Sequence, residues 1–240
     1  MFEKRNRLVE SSRLGALSFV LLIFLSAIAG AEDPVFSGPQ IGEKLSSFKI
    51  LLVSEDAQAT TVDPIESASE KPTVLIFVHQ LTRPGMALTR AISEYVASQK
   101  THNVQCTIVW LDDDQAAAEA YLRRAAPSLR FVVPVGVSID GEEGPGAYGL
   151  NRNVELTILV ANQNQVTANF ALIQPSLTQA AQIASPIAAL IDQPAPDQKQ
   201  LEALAYPRGQ AMRRGGETRR AALQNETSPD DRSTKTKTPE

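Results

Sequence analysis

The chain has 240 residues, 43% of them hydrophobic, enough to bury the core of one ordinary domain with tails to spare. Its net charge is −4, its pI about 5.4 and its aromatic content 5%, which argues against a clustered basic nucleic-acid footprint and against a platform for stacking bases. A single cysteine, Cys106, excludes an intramolecular disulfide and any two-cysteine catalytic cycle within one chain.

At the N-terminus Lys4, Arg5, Arg7 and Arg13 precede a continuous apolar run, LGALSFVLLIFLSAIA (14–29), which ends in Ala29-Gly30-Ala31 before Glu32-Asp33-Pro34. A positive start, an apolar middle and an A-x-A end make the pattern of a secretory signal peptide over 1–31, with cleavage expected after Ala31 and export to a periplasm or the exterior. The competing reading is an uncleaved membrane anchor over 14–31, although the run is slightly shorter than the roughly 20 apolar residues of a span. An exported domain without disulfides must stand on its packed core.

FKILLV (48–53) reads as a short strand, and residues 54–72, acidic and rich in Ser and Ala, as a loop or insertion. TVLIFV (73–78) is a strand buried on both faces. The spacing of Leu88, Ala91, Ile92, Tyr95 and Val96 predicts a helix over 86–99. VQCTIVWL (104–111) is a second buried strand, and Asp112-Asp113-Asp114 opens a second helix that Pro127 is expected to stop. FVVPVGVSID (131–140) is extended, with Pro134 arguing against a central strand, and 142–149 is a loop. VELTILVA (154–161) and QVTANFAL (165–172) flank a hairpin turn at Asn162-Gln163-Asn164. Ser176 and Gln179, at capping-box spacing, start a third helix, with Leu177, Ala180, Ala184, Ala188 and Ile191 on one stripe and Pro186 expected to kink or restart it. From Gln193 the composition turns to Pro, Gln, Arg, Glu, Ser and Thr, so 193–240 reads as a mostly disordered tail with a helical stretch at 197–204. The order β-α-β-α-β-β-α, with an extra N-terminal strand, predicts one α/β domain over 32–192. Its parallel core would be covered on both faces and closed by an antiparallel hairpin.

That order resembles the thioredoxin fold, and several phrases resemble its peroxiredoxin and redoxin branch. IGEKLSSFKI (41–50) resembles the branch's opening G-x-x-x-P-x-F-x-L, and KPTVLIFV (71–78) its first core strand. VPVGVSID followed by AYGL (147–150) resembles the stretch that leads to Y-G-V, and VELTILVANQNQV (154–166) the hairpin P-T-T-F-L-I-D-x-x-G-x-V. The resemblance spans 38–192 and implies a three-layer fold with a mixed central sheet flanked by helices. It also implies that the active-site loop falls on Thr82-Arg83-Pro84-Gly85. Read as C-x-x-C, both cysteine places lack a thiol; read as T-x-x-C, Thr82 is kept and Gly85 stands at the cysteine. The family's chemistry needs a thiolate at a helix N-terminus, where the dipole lowers its pKa. The cis-proline that faces this loop would fall at Val154 or Glu155, and neither is a proline. The resemblance thus implies a degenerate site with no catalytic residue. The groove between Thr82–Gly85 and Val154–Glu155 would be the surface offered to an unidentified protein or peptide, serving binding or scaffolding.

Cys106 shares a strand face with Val104, Ile108 and Trp110 and reads as a small buried hydrophobe; the alternative is a redoxin-type oxidoreductase or peroxidase with an unconventional site at Cys106. A nucleophilic Thr82 would need an adjacent base, and the sequence identifies none. His79, at a strand end, reads as solvated or hydrogen-bonded. Asp112, Asp113 and Asp114 read as helix caps rather than a calcium loop, and no Cys/His spacing suits zinc, so no metal and no cofactor is expected. Arg213, Arg214, Arg219 and Arg220 lie among acids and read as a solvated segment, and Asn225-Glu226-Thr227 is a glycosylation sequon. Neither a nucleic acid nor, after cleavage, a membrane is expected as a partner.

Overall fold

The computed structural model describes residues 35–54 and 59–206. The segment expected to be a signal peptide, the tail arginines and the sequon lie outside the described residues. In chain order the strands and helices are β1 (Ile50–Val53), β2 (Thr60–Val62), α1 (Pro64–Ala68), β3 (Thr73–Val78), α2 (Arg83–Ser98) and β4 (Gln105–Trp110). They continue as α3 (Gln115–Leu129), β5 (Val135–Ser138), β6 (Leu156–Asn162), β7 (Gln165–Leu172), α4 (Ala180–Leu190) and α5 (Gln198–Ala205).

The run of large apolar side chains in β3 leaves it no face for water, and all six of its residues are buried. It sits within a seven-stranded sheet of order β2-β1-β5-β4-β3-β6-β7. β4 pairs with it in parallel from Thr73↔Gln105 to Val78↔Trp110, and β6 antiparallel from Thr73↔Ala161 to Val78↔Leu156. β5 continues the parallel core beside β4, and β1 runs antiparallel to β5. Crossovers β3-α2-β4 and β4-α3-β5 step the same way along the sheet, so right-handedness puts both helices on one face.

Side-chain alternation divides the core between the two faces. Val74, Ile76, Val78, Cys106, Ile108 and Trp110 pack with the buried residues of α2, α3, α4 and α5. Leu75, Phe77, Val109 and Leu111 face Leu45, Phe48, Tyr148 and, from α1, Ile65. There Phe48, Phe77 and Tyr148 touch one another, with ring centroids 5.1 to 5.8 Å apart. The sheet is therefore mixed and flanked by helices, with one helical layer much thicker than the other.

Several expectations change. Residues 54–72 are not a plain loop, for they hold β2 and α1. Asp63 caps α1 by accepting the Ile65 and Glu66 N–H groups at 2.8 and 3.0 Å, and Pro64 stands in the first turn, where a missing N–H costs nothing. The helix expected at 86 begins three residues earlier, because Thr82 caps it and Pro84 fits its first turn. Pro134 does not exclude a strand: β5 starts one residue later and lies inside the sheet, and the Pro134 carbonyl accepts the Ile108 N–H at 3.0 Å. Pro186 lies within a continuous α4. The hairpin turn narrows to Gln163 and Asn164, both with positive φ (50° and 59°), as a two-residue turn of matching twist requires.

Two further corrections meet at Arg90. Pro127 does not stop α3, which runs on to Leu129. The folded domain does not end at 192 either, because α5, capped by Asp197, buries Leu201 and Ala205 completely and packs on α2. From α2, the Arg90 guanidinium donates to the Leu129 carbonyl (2.9 and 3.1 Å), the Ser128 carbonyl (3.3 Å) and the Ala205 carbonyl (3.0 Å). One cation thus closes the C-terminal ends of α3 and α5, where exposed carbonyls favour positive charge. Arg90→Met keeps the apolar stem and removes these bonds. We expect it to lower the unfolding free energy by about 2 kcal/mol in urea titrations. Amide exchange should accelerate first in α5.

Candidate functional site

At the end of β3 the chain turns out of the sheet and is fastened to the residue just before β6. The His79 and Gln80 N–H groups donate to the Glu155 carbonyl at 3.0 and 3.3 Å, and the Glu155 N–H donates to the Leu172 carbonyl at 2.8 Å. Thr82 then takes an extended backbone (φ −119°, ψ 150°) and caps α2, its Oγ1 accepting the Gly85 N–H at 3.2 Å. The same hydroxyl donates to Glu155 Oε2 at 2.6 Å. The structure therefore joins Thr82, Gly85 and Glu155. Arg83 and Pro84 stand exposed beside them, while Val154 is fully buried and only backs the site from within. A carboxylate does lie against Thr82, contrary to the absence of a base in the sequence reading; sequence separation of 73 residues hid the pair.

A side chain at Gly85 would require its neighbours to shift. A Cβ there would lie 2.8 Å from Thr82 Oγ1 and 3.3 Å from Pro175 Cγ. The cysteine place is thus crowded by side chains as well as held by a residue without a thiol. Cys106 is only 5% exposed and faces the helical core, and burial pushes its thiol up to about 12. In the ladder it stands opposite Val74, four residues before the end of β3, so about 13 Å of strand separates it from the loop.

His79 resolves as hydrogen-bonded. Its Nε2 lies 2.9 Å from Thr157 Oγ1, which lies 2.5 Å from Ser37 Oγ, and Ser37 Oγ accepts the Asn151 N–H at 3.0 Å. Burial lowers the imidazole pKa to about 4, which favours the neutral ring near pH 7. Of the three aspartates, Asp114 caps α3 through the Ala117 N–H and Asp112 accepts the Asp114 N–H, whereas Asp113 does not cap α3 and instead accepts the Glu142 N–H, 29 residues away. Among the described residues no group of three His, Cys, Asp or Glu is placed to hold a metal ion.

Beside the loop an open cleft of about 810 Å³ is lined by Leu81, Thr82, Arg83, Ala87, Leu177 and Tyr206, among others. Leu81 is 49% and Tyr206 59% exposed, so the cleft presents apolar surface next to an exposed guanidinium. The sequence reading missed Tyr206 because it placed that residue in a tail; the Asp197–Gln200 capping pair was the available signal that a helix carries it there.

No family model matches the chain, and no curated protein does. Solved structures do. A candidate protein disulfide isomerase from Bacteroides thetaiotaomicron is 16% identical with a TM-score of 0.51, covering 66% of this chain and 96% of that one. A candidate thiol:disulfide interchange protein, DsbE, from Chlorobium tepidum is 16% identical with a TM-score of 0.50, covering 63% and 98%. The chain has the thioredoxin-like fold. An uncharacterized conserved protein from Geobacillus kaustophilus, 14% identical with a TM-score of 0.51, is similar over 69% of this chain and 91% of its own. In this thioredoxin-like domain a single cysteine remains, and it lies away from the loop.

Thr82→Val removes both hydroxyl bonds at nearly constant shape and should cost about 1–2 kcal/mol, whereas Thr82→Ser should stay within a few tenths; urea midpoints at pH 7 decide. For His79 the unfolded imidazole, near 6.5, takes up its proton before the folded one, near 4. Stability is therefore complete above pH 6.5 and falls as pH drops from there towards 4. We expect His79→Gln to flatten that slope. The His79 C2–H resonance should not titrate above about pH 5.

Proposed function

We propose that this chain is an exported domain of the redoxin type whose thioredoxin-like fold has lost thiol chemistry and serves as a binding or scaffolding module. The observation that carries this reading is the thiol-free, crowded cysteine place at Gly85, against Thr82 and Pro175. The partner, in this reading, is a protein or peptide segment held beside Thr82, Arg83, Pro84 and Gly85, across from Glu155. Leu81 and Tyr206 would supply its apolar contacts and Arg83 a charged one. Burial of Cys106 weighs against the alternative of a thiol oxidoreductase or peroxidase built on that residue, since attack needs an accessible thiolate. Export rests on the pattern of residues 1–31; the alternative keeps 14–31 as an anchor and tethers the same domain to a membrane. A mature chain beginning at Glu32 by mass spectrometry supports cleavage.

Peroxide consumption and disulfide reduction, measured beside Cys106→Ser, should be absent from both proteins. Activity that vanishes in the variant overturns the reading. Dithionitrobenzoate should label Cys106 only after unfolding. Peptides selected against the intact protein from a displayed library should lose about tenfold in affinity with Arg83→Glu or Tyr206→Ala, because a few central anchors dominate such interfaces. Selected peptides indifferent to both substitutions would move the binding surface elsewhere.

A further inference from the structure

The cleft beside Thr82 has a one-sided charge. Arg83 and Arg90 line it, and no carboxylate does. Arg90 is spent on the carbonyl ends of α3 and α5. Arg83 stands exposed, and among the described residues no carboxylate pairs with it. Glu155, across the loop, gives Oε2 to the Thr82 hydroxyl. α2 begins here with no acidic residue in its first turn, so the positive end of that helix adds to Arg83. Leu81 and Tyr206 supply exposed apolar surface beside these charges. The cleft suits a segment with an apolar anchor followed by acids.

Three stretches of the chain lie outside the described residues, and one of them starts at this cleft. Residues 55–58 join β1 at the opposite end of the sheet, where Val53 pairs with the first residue of β5. The chain before Val35 arrives on the other face, where Ser37 meets Thr157, whose neighbours Leu156 and Ile158 face the helical core. The chain after Tyr206 sets out from the cleft wall itself.

The sequence after Tyr206 falls into two blocks of opposite charge. Residues 207–220 carry Arg208, Arg213, Arg214, Arg219 and Arg220 against Glu217 alone, so Arg83 repels them. Residues 221–231, AALQNETSPDD, carry Leu223, Glu226, Asp230 and Asp231 and neither Lys nor Arg. Leu223 and Met212 are the only large aliphatic side chains after Tyr206, and only Leu223 lies in the acidic block. The stretch from Tyr206 to Leu223 spans up to about 60 Å when extended, ample to return across the cleft. A tethered segment meets its site at an effective concentration up to the millimolar range, so a weak contact is enough.

We propose that residues 223–231 dock in the cleft of their own chain, with Leu223 against Leu81, Leu177 and Tyr206, and with Glu226, Asp230 and Asp231 towards Arg83 and the start of α2. The tail then competes with the outside segment, and a partner must displace it. This rests on the reading of the cleft as a binding surface.

The test is a nitroxide on Asn225→Cys in the intact chain, where burial of Cys106 leaves the new thiol as the accessible one. The amides of Leu81, Arg83, Ala87 and Leu177 are expected to broaden, and those of α3 and β5 to stay sharp. Arg83→Glu should reduce the broadening about fivefold, and so should Asp230→Lys with Asp231→Lys. Combining the reversals should restore most of it, which damage to the fold would not do. Mixing a nitrogen-15 chain that lacks the nitroxide with an unlabelled chain that carries it should broaden nothing. The inference is overturned if the four amides stay sharp, if broadening survives both reversals, or if it arises between molecules in the mixture. The binding-surface reading fails separately: selected peptides indifferent to Arg83 and Tyr206 overturn it, whereas peptides that need Arg83, beside four sharp amides, overturn the tail contact alone.

Discussion

β3 is paired along its whole length on both sides and buried on both faces, and this double constraint places almost everything else. A slip of one residue against either neighbour would exchange Val74, Ile76 and Val78 with Leu75 and Phe77, sending each set to a face shaped for the other. The register is therefore held from two sides at once. One face then demands a thick cover, supplied by α2 to α5, and the other a thinner one, supplied by α1, the 45–48 segment and Tyr148. With no disulfide among the chain's bonds, these two apolar contacts and the sheet ladder carry the fold.

The same constraint creates the site. A strand enclosed between β4 and β6 can leave only at its end, and there its next N–H groups need acceptors. The Glu155 carbonyl meets two of them, and the Glu155 side chain meets the Thr82 hydroxyl two residues further on. Backbone and side chain of one residue thus fasten the whole turn into α2. The turn then aims the start of a 16-residue helix at the cleft that Tyr206, at the end of α5, borders on the far side. Arg90 links these parts, because it lines the cleft while its guanidinium fixes the last carbonyl of α5.

What could be read from the residues followed from strong local signals. The two buried strands, the hairpin and the Ser176–Gln179 capping box are written in contiguous runs or fixed short spacings, and they appear within a residue or two of where those signals place them. The failures share a different cause. Pro127 and Pro134 carry a general bias against regular structure, and tertiary contacts outweigh it. Arg90 and the burial of Leu129 hold the last turn of α3, and Pro134 stands at a strand's threshold, where its absent N–H is not needed. Similarly, α5 is too polar to announce a core, yet Leu201 and Ala205, a helical turn apart, suffice to bury one face on α2. For the site, resemblance set Thr82 opposite Glu155. It could not disclose that a hydroxyl and a carboxylate meet there at 2.6 Å, a contact between residues distant in sequence.

The loop's lack of a thiol is matched by its surroundings. A cysteine at Gly85 would bring its Cβ into the Thr82 hydroxyl, so the cap or the bond to Glu155 must give way first. Even with that room made, the new sulfur would lie near the Glu155 carboxylate. A neighbouring negative charge raises a thiol's pKa, against the lowering that a helix N-terminus provides. The position opposite the loop, where the resemblance expects a proline without charge, thus bears a group that works against a thiolate. Thr82, Gly85 and Glu155 form a mutually consistent set: the carboxylate takes the hydroxyl proton, the hydroxyl takes the amide proton, and the absent side chain leaves space for both. Such a set fastens the turn into α2 without a thiol among its members.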